Sequence, residues 1–368
     1  MPVTILHLNT ETSWRGGEAQ TLRLAIGLRD RGHTCLVAAP PGSPLLERSA
    51  AAGLEALPFR ARGELDLSAA GRLARLLVER RVGLLHDHTA HAVTLGTLAS
   101  LFGGRRPVVA TRRVSFPLRG RLLGRLKYSV RIDRLIAVSE AIRARLIADG
   151  LDPDRIVTVH SGIDPDRFTR GDRSRFRAGL RGAPGFEQGF LVGTAAHLAA
   201  HKGIDLFLDA AALAARERPE LRFVIIGRGE EEARLRKQAV RLGLSERVLF
   251  AGFREDMPDV YAGLDLFVLA SLSGEGSPAV VKEAMAAGVA LAATDLEGLE
   301  EIVEDGRHGL LTPPGNAPAL ARAIVLLASD PSLRERMALA ARDRVREFTS
   351  DRMVERTERV YHSVVGMA

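Results

Sequence analysis

The sequence of 368 residues has one cysteine, four lysines among its 52 basic residues, few aromatic side chains (5%) and no long apolar run. A single cysteine excludes an internal disulfide framework, and the apolar stretch HTCLVAA around Cys35 favours a core residue in a reducing compartment. No run approaches the roughly 18 apolar residues of a membrane-spanning helix. The first ten residues, MPVTILHLNT, have neither the charged region nor the cleavage site of a secretory signal. We therefore expect a cytoplasmic protein.

Basic residues are unevenly distributed along the chain. Residues 1–170 contain 26 Lys and Arg against 16 Asp and Glu, whereas the remainder contains 26 against 29. Residues 105–134 alone hold ten basic groups and one acid, Asp133. Such a stretch attracts anionic lipid, nucleic acid or anionic substrates. Because it offers few aromatic rings for base stacking, Phe116 and Tyr128 among them, nucleic acid is the least favoured of these partners.

Apolar residues recur at every fourth position within this basic stretch: Leu118, Leu122, Leu126 and Val130. With arginines and Lys127 on the other faces, the pattern is typical of a helix that lies on anionic lipid. A helix packed on its own domain, with a solvated basic face, fits the same pattern. The first alternative predicts peripheral binding to the inner face of the cytoplasmic membrane.

Short apolar runs alternate with longer amphipathic segments along the whole chain. Runs such as VTILHLN and TCLVAA in the first half, and FLVGTAA and LRFVIIG in the second, are typical of buried strands. Segments such as EAQTLRLAIGLRDRG between them are typical of helices. The alternation predicts an α/β protein with two doubly wound parallel sheets. We predict domains at 1–170 and 186–349, a polar linker at 170–189 and a final helix at about 350–368.

Ligands of doubly wound domains bind beyond the carboxyl ends of the strands, so the loops there are candidate sites. In LHLNTETSWRGGEAQ, the first strand leads to Gly16 and Gly17 and then to a helix that begins near Glu18. Two glycines allow close backbone approach, and a helix N-terminus favours a phosphate; a plain tight turn is the alternative. The histidines of HDHTAH could begin a metal site, but no cluster of ligand residues elsewhere in the sequence completes it. Three histidines are therefore predicted to line the cleft: His86, His88 and His91.

The second domain has two further candidate loops. In GTAAHLAAHKGIDLFLDA, Lys202 follows a strand, where its ammonium group can neutralise a diphosphate; a solvated loop lysine is the alternative. In EGSPAVVKEA, Glu275 and Glu283 lie on either side of a helix start, where Ser277 suits the N-cap and Pro278 the first turn. An ionised carboxylate accepts two hydrogen bonds, so one glutamate is predicted to hold a sugar and the other a ribose.

Several stretches of the chain resemble the retaining glycosyltransferases of family 4, which have the GT-B fold. The stretch SLSGEGSPAVVKEAMAAGVALAATDLEGLEEIVEDGRHGLLTPPG resembles the family signature: Glu, seven residues, Glu, then Ala-x-x-x-Gly and Glu-Ile-Val-x-Asp-Gly. WRGGEAQTLRLAIGLRDRGH resembles the N-terminal glycine loop of the family, and AVSEAIRARLIADGLDPDRIVTVHSGIDPDRF its interdomain segment. The resemblance covers nearly the whole chain.

The resemblance implies two facing Rossmann-like domains with an interdomain cleft, the C-terminal helix crossing back to the first domain. The first domain would bind the acceptor and the second a nucleotide-sugar donor. The residues implied for the donor sugar are Glu275, Gly276, Ser277 and Pro278. Those implied for the rest of the donor are Glu283 for the ribose, Lys202, Gly16 and Gly17 for the diphosphate, and Gly252 and Phe253 for the base. Neither a metal nor another cofactor is expected.

Two positions depart from the family pattern. The family has arginine where this chain has His197, which replaces a permanent cation on the diphosphate by a titratable one, so donor affinity is expected to depend on pH. After the strand PVVAT the family has a pocket histidine, whereas this chain reads TRRVSFP, with Arg113 at or next to that place. A guanidinium is always charged, so Arg113 is expected to contact an anionic acceptor group or the departing phosphate.

The leading interpretation is a retaining, metal-independent hexosyltransferase that moves a sugar from a nucleotide-sugar donor to a lipid-linked or glycan acceptor, as in lipopolysaccharide synthesis. The predicted catalytic residues are Glu275, Lys202 and Arg113. The residues predicted to contact the acceptor are His86, His88, Arg112 and Arg113. A nucleotide-sugar epimerase of GT-B fold, against which the two-glutamate signature argues, and a basic nucleic-acid-binding protein are the alternatives.

Overall fold

The computed structural model describes residues 2–102, 104–118, 121–180, 183 and 185–366. The chain divides into two compact units, one formed by Met1–Gly162 with Ser350–Ala368 and the other by Ile163–Thr349. Each unit contains one parallel sheet covered by helices on both faces. The predicted fold class, α/β with two doubly wound domains, is therefore confirmed.

The first unit is built on a sheet of seven parallel strands in the order β3-β2-β1-β4-β5-β6-β7. Its strands are β1 (Thr4–Leu8), β2 (Thr34–Ala39), β3 (Glu55–Pro58), β4 (Leu84–Asp87), β5 (Val108–Arg112), β6 (Arg134–Ala137) and β7 (Ile156–Thr158). Its helices are α1 (Gly16–Asp30), α2 (Pro44–Ala51), α3 (Leu67–Glu79), α4 (Ala90–Phe102), α5 (Arg121–Ser129), α6 (Glu140–Ala148) and the last helix of the chain, α15 (Ser350–Val365).

Burial on both faces explains why the strands of this sheet appear in the sequence as apolar runs. Successive residues of a strand point to opposite faces. Leu6 and Leu8 of β1 lie in the core that α3 and α4 cover, whereas Ile5 lies in the core that α1 and α15 cover. Cys35 is buried in the second of these cores, as predicted.

The second unit is built on a sheet of six parallel strands in the order β10-β9-β8-β11-β12-β13. Its strands are β8 (Phe190–Ala195), β9 (Leu221–Ile226), β10 (Val248–Gly252), β11 (Leu266–Leu269), β12 (Ala290–Thr294) and β13 (Leu310–Thr312). Its helices are α7 (Pro165–Phe168), α8 (Arg173–Ala178), α9 (Ile204–Glu217), α10 (Glu232–Arg241), α11 (Met257–Gly263), α12 (Ala279–Ala287), α13 (Ala317–Ser329) and α14 (Pro331–Arg344). Short 3-10 helices lie at Pro153–Arg155, Ala200–Lys202 and Val345–Phe348.

The boundaries of the two units differ from the predicted domain limits. The first unit ends at Gly162, and the segment predicted as a linker at 170–189 lies within the second unit. Its aromatic residues explain the difference: Phe176 and Phe186 are buried in the same core as Tyr261. In addition, Arg177 pairs with Asp265 at 2.6 Å. Residues 181, 182 and 184 of the predicted linker, and 367–368 of the predicted final helix, lie outside the described part of the chain.

The basic stretch 105–134 does not present its apolar residues as one exposed row. Leu118 is buried in the core, whereas Leu126 and Val130 are exposed. Residues 119 and 120 and the side chain of Leu122 lie outside the description. Lys127 is held by Glu64 at 2.8 Å. Within the ranges that the structure describes, we find no helix with the length and apolar content to cross a membrane.

Candidate active site

The order of the strands creates a switch point in each sheet. β1 lies between β2 and β4, and β8 lies between β9 and β11, so consecutive crossovers run in opposite directions from these strands. In open α/β sheets, ligands bind at such points, beyond the carboxyl ends of the strands. Gly17 and His88 follow β1 and β4, and Lys202 and Glu275 follow β8 and β11. Predicted site residues therefore lie at both switch points.

Lys202 and Glu275 form an ion pair beside the β8/β11 switch point. The distance from Nζ of Lys202 to Oε1 of Glu275 is 2.7 Å, and the Ser271 hydroxyl donates to the same oxygen at 2.7 Å. The loop of Gly203 approaches Ala270 closely: Gly203 has a φ of +61°, and a Cβ there would lie 1.9 Å from the Ala270 carbonyl oxygen. The fold therefore brings together Lys202, which is predicted to bind the diphosphate, and Glu275, which is predicted to bind the sugar.

The start of α12 differs in detail from the prediction. Pro278, rather than Ser277, is the N-cap residue, and the Ser277 hydroxyl bonds to Nζ of Lys282 at 2.6 Å. Ser277 was predicted to accept a bond from the backbone, but the buried ammonium one turn later is its partner. Glu283 lies within α12, where its Oε2 accepts a hydrogen bond from the Tyr261 hydroxyl at 3.2 Å. Burial, assisted by the Glu283 charge, raises the pKa of Tyr261 well above its ordinary value, so Tyr261 stays a donor.

The remaining predicted donor residues lie at the ends of β8 and β10. His197 pairs with Glu230 through Nε2 at 2.9 Å, so this departure from the family pattern brings a carboxylate partner with it. Gly252 ends β10 with a φ of +68°, a left-handed conformation that favours glycine. Phe253 follows it with 49% of its surface exposed, which leaves an aromatic ring accessible beside the sheet edge.

A chain of hydrogen bonds runs through the β1/β4 switch point of the first unit. Nδ1 of His88 lies 3.1 Å from Nη2 of Arg113, and Nε2 of His88 lies 3.0 Å from Nδ1 of His7. Arginine only donates, so Nδ1 of His88 accepts, Nε2 carries the proton, and His7 accepts it at Nδ1. A Cβ on Gly17 would lie 3.6 Å from Cδ of Arg113. The glycine loop therefore packs on the arginine that departs from the family pattern.

Burial determines the charges of the hydrogen-bonded residues His7, His88 and Arg113. It lowers the pKa of His7 to about 3 and that of His88 well below its ordinary value, and the Arg113 charge acts in the same direction. Burial also lowers the pKa of Arg113 to about 10, opposed by the charge of Glu18. Arg113 is therefore the cation of the group near neutral pH, and both histidines are neutral.

Two predicted acceptor residues, His86 and Arg112, and the predicted cleft residue His91 have other surroundings. His86 is fully buried, with Nδ1 bonded to the Tyr361 hydroxyl at 2.6 Å and Nε2 to the Thr111 hydroxyl at 2.7 Å, so it supports the core and is not presented to an acceptor. Arg112 donates to the Phe116 carbonyl at 2.7 Å. His91 lies 3.2 Å from Glu64, with an exposed side chain. Of the predicted acceptor residues, His88 and Arg113 are the two that the structure joins by a hydrogen bond.

His7, His86 and His88 gather closely enough to raise the question of a metal, since their nitrogen atoms lie within 4.8 Å of one another. The set does not fit one. Both nitrogens of His86 are bonded to hydroxyl groups, and His88 is bonded to His7 and to a guanidinium. A cation would have to displace these bonds beside the charge of Arg113. Hydrogen bonds occupy both nitrogens of His86 and of His88, and Nε2 of His7 is the one nitrogen of the three rings without a hydrogen-bond partner in the described part of the chain.

The sequence interpretation missed several residues that hold the predicted ones in place: Ser271, Tyr261, Lys282, Glu18 and His7. Lys282 had a visible signal, because it is one of four lysines and lies between the two glutamates of the signature. It is fully buried. Ser271 lies only four residues before Glu275, its partner in the same loop. Tyr261, Glu18 and His7 had no local signal, since their partners lie on other elements of the chain.

Models of two glycosyltransferase domains match the chain in sequence. Residues 14–167 match the model described as Glycosyltransferase Family 4, and residues 180–344 match the model described as Glycosyl transferases group 1. A phosphatidyl-myo-inositol mannosyltransferase of Mycobacterium leprae is 30% identical over 372 residues, which cover 95% of this chain and 93% of the relative. The chain belongs to glycosyltransferase family 4.

Two further proteins resemble the chain to different extents. A D-inositol 3-phosphate glycosyltransferase of Streptomyces scabiei is 32% identical over 77% of this chain and 64% of its own length. The crystal structure of the Anabaena protein HepE in complex with UDP-glucose superimposes with a TM-score of 0.88 at 25% identity, covering 98% of this chain and 100% of HepE. The present chain is therefore a glycosyltransferase, and its α/β fold of two domains is that of HepE.

Proposed function

We propose that this family 4 protein is a retaining, metal-independent enzyme that transfers a hexosyl group from a nucleotide-sugar donor to an acceptor of the cell envelope. The observation that carries the proposal is the Lys202–Glu275 pair at the β8/β11 switch point, 2.7 Å between Nζ and Oε1. A nucleotide-sugar donor presents a diphosphate next to a sugar. An ammonium group beside an almost buried carboxylate matches both halves of that linkage.

Charge development explains the role assigned to Lys202. As the bond from the sugar to the diphosphate breaks, the leaving group gains negative charge, and a positioned cation stabilises it more in the transition state than in the ground state. Lys202 supplies that cation, so no metal is required for it. Oε1 of Glu275 already accepts from Lys202 and Ser271. We assign its other oxygen, Oε2, to the sugar hydroxyls, with the backbone of Gly276 beside it.

The rest of the donor is assigned to groups around α12 and β10. Glu283, held by Tyr261, would accept the two ribose hydroxyls. The exposed ring of Phe253, after Gly252, would pack on the base. The HepE structure contains UDP-glucose, which makes UDP-sugars the first donors to test.

The names of the relatives support an inositol-bearing or lipid-linked acceptor. One relative is a phosphatidyl-myo-inositol mannosyltransferase and another a D-inositol 3-phosphate glycosyltransferase. Both names describe a phosphate-bearing polyol. The half-buried cation Arg113, held by His88, would pair with such an anionic group. We therefore propose an anionic glycolipid acceptor at the inner face of the cytoplasmic membrane; lipopolysaccharide is the second candidate.

A donor and acceptor panel tests the proposal. Purified enzyme is incubated with UDP-, GDP- and ADP-sugars and, in turn, phosphatidylinositol, D-inositol 3-phosphate and a lipopolysaccharide core, with and without EDTA. We expect nucleotide release that requires an acceptor, withstands EDTA and gives a product with the anomeric configuration of the donor. Inverted products, or loss of activity in EDTA, would refute the corresponding part of the proposal.

Variants of the two lysines and two glutamates connect activity to the site. Lys202→Ala should lower turnover by about 100-fold. Lys237→Ala, which removes an exposed lysine of α10, is the matched control and should leave turnover unchanged. Glu283→Ala should weaken donor binding by roughly 1.5–3 kcal/mol, and Glu275→Ala should lower turnover more than donor affinity. Unchanged kinetics in both glutamate variants would rule out the assigned donor site.

A further inference from the structure

An arginine-lined cavity lies at the opposite edge of the first sheet from the candidate site. Its volume is about 230 Å³, far above the roughly 10–15 Å³ that one water requires. Five of its lining residues are arginines: Arg105, Arg106, Arg131, Arg134 and Arg155. They precede or begin β5, β6 and β7, at the amino ends of these strands. Arg113 and His88 lie at the carboxyl ends, so the cavity is separated from them by the length of a strand, about 15 Å.

The charge of this arginine pocket is only partly compensated. Asp133 is the one acid among its lining residues, and Asp152, outside the lining, pairs with Arg155 at 3.5 Å between Oδ2 and Nε. Five arginines against these two acids leave three formal positive charges. Oδ2 of Asp133 already accepts a bond from the Val108 backbone at 2.8 Å, and Oδ1 lies 3.4 Å from Nη2 of Arg105. Gathering guanidinium groups around one cavity costs electrostatic free energy, which an anion of high charge would offset.

Backbone contacts hold the guanidinium groups at the cavity. Arg106 donates to the Val82 carbonyl at 3.0 Å, Arg134 to the Asp133 carbonyl at 2.9 Å and Arg155 to the Ser129 carbonyl at 3.2 Å. Arg131 has a φ of +61°, a left-handed conformation that costs free energy in a residue other than glycine. The strained turn places Arg131 at the same cavity as Arg134.

We propose that the arginine pocket binds a phosphate-type polyanion, a phosphomonoester or a diphosphate. Guanidinium forks bind phosphate oxygens in pairs, and several of them match a group with two or more negative charges. The lining residues include no aromatic ring, which disfavours nucleic acid, because single strands are bound by stacking on such rings. The phosphate group could belong to a lipid headgroup or to a soluble molecule. The arginine pocket shares no residue with the donor and acceptor sites proposed above.

Calorimetric titration with inorganic pyrophosphate at low ionic strength tests the pocket. The triple variant Arg106→Gln, Arg134→Gln, Arg155→Gln should bind at least about tenfold more weakly than the wild type. The triple variant Arg75→Gln, Arg216→Gln, Arg241→Gln removes the same charge from exposed positions elsewhere and should bind as the wild type does. Equal weakening in both triple variants, or no pyrophosphate binding by the wild type, overturns the proposal.

Two further variants separate this result from folding and from the donor site. Arg155→Gln alone changes one exposed side chain, so a severalfold loss of affinity in it does not depend on the folding of the triple variant. Lys202→Ala leaves the arginine pocket intact, so titration with pyrophosphate should release the same heat of binding as in the wild type. Loss of that heat in Lys202→Ala, together with its retention in the pocket triple variant, would assign the binding to the donor site and overturn the proposal.

Vesicles distinguish the two sources of phosphate. Sedimentation with phosphatidylcholine vesicles, with and without phosphatidic acid, is measured for the wild type and both triple variants. Binding to phosphatidic acid that only the pocket triple variant loses identifies a lipid headgroup as the source. Pyrophosphate binding without vesicle binding identifies a soluble phosphate compound.

Discussion

Arg113 combines a permanent charge with a defined hydrogen-bond partner. It is half-buried, donates to Nδ1 of His88 and packs on Gly17. In Arg113→Lys the charge is kept, but the planar fork that reaches both His88 and a ligand is lost. We expect about a 100-fold lower rate of transfer. Steady-state kinetics with donor hydrolysis measured separately from transfer checks this expectation.

Neighbouring variants provide the comparison for Arg113. Arg112→Lys removes contacts to the Phe116 carbonyl and the Tyr128 hydroxyl, not to His88, and should retain most of the activity. His88→Asn places an amide oxygen near the position that Nδ1 of His88 occupies, where it can accept the bond from Arg113. This variant should retain more activity than His88→Leu, which offers no acceptor. Near-wild-type transfer in Arg113→Lys would show that the fork has no role in the reaction.

The neutral histidines of the first unit should make its stability depend on pH. The pKa of His7 is about 3 in the folded state and 6.5 without the fold, so the unfolded chain binds the additional proton between these values. Stability is therefore complete above pH 6.5 and decreases as the pH falls towards 3, by about 1.4 kcal/mol per pH unit. His88 changes in the same direction.

Urea unfolding of the first unit at pH 7, 6 and 5 measures this dependence. Between pH 7 and pH 5 the wild type should lose about 2 kcal/mol more than His7→Gln, which has no titrating group at that position. His91→Gln removes an exposed histidine and should show the wild-type slope. Parallel slopes for the wild type and His7→Gln would contradict the assignment of a neutral, buried His7.

At the scale of the element, the turn between the 3-10 helix and α9 fixes Lys202 against the loop after β11. Gly203 has a φ of +61° and would place a Cβ 1.9 Å from the Ala270 carbonyl oxygen. Gly203→Ala should therefore be destabilising through both the backbone conformation and the contact, and it should lower donor affinity by displacing Lys202 from Glu275.

Gly243 offers a matched comparison, because it has a φ of +72° and nothing within 4 Å of an added Cβ. Gly243→Ala should cost only the backbone term, about 1–2 kcal/mol. The loss of stability in Gly203→Ala should be larger than that in Gly243→Ala by roughly 1–3 kcal/mol, the cost of the overpacked contact. Thermal unfolding and donor titration of both variants measure the difference, and equal losses would contradict the contact.

At the scale of the whole molecule, the last helix belongs to the core of the first unit. α15 buries Met353, Val354, Val360, Tyr361 and Val364 there. Five such side chains contribute on the order of 10 kcal/mol, which is comparable with the whole stability of a domain. Deleting residues 350–368 should therefore unfold the rest of the first unit and leave the second folded, although the deleted residues are remote in sequence from residues 1–162.

Limited proteolysis with mass spectrometry distinguishes the two units. In the deletion variant we expect rapid cleavage within residues 1–162 and protection of 163–349. Tyr361→Phe keeps the ring and loses only the hydrogen bond to His86, so it should cost about 1 kcal/mol and keep both units protected. Unchanged protection of residues 1–162 after the deletion would show that α15 is not required for that core.

The sequence by itself determined the class of fold and named several residues of the candidate donor site. Runs such as TCLVAA and LRFVII are mostly apolar because both faces of a parallel sheet are buried. Their alternation with helices therefore predicts two doubly wound sheets. Lys202, Glu275 and Glu283 could be named because each belongs to one local stretch in which the strand end, the helix start and the polar residue are adjacent.

The tertiary structure alone decided which distant groups meet. His7 reaches His88 across 81 positions, and His86 reaches Tyr361 across 275. These contacts depend on strand order, with β1 placed beside β4, and on the helix that returns to the first sheet. Local periodicity specifies which face of a strand is buried but not which strand lies next to it. For the same reason, the sequence showed the arginines of 105–134 only as a charged stretch, whereas the fold gathers four of them with Arg155 around one cavity.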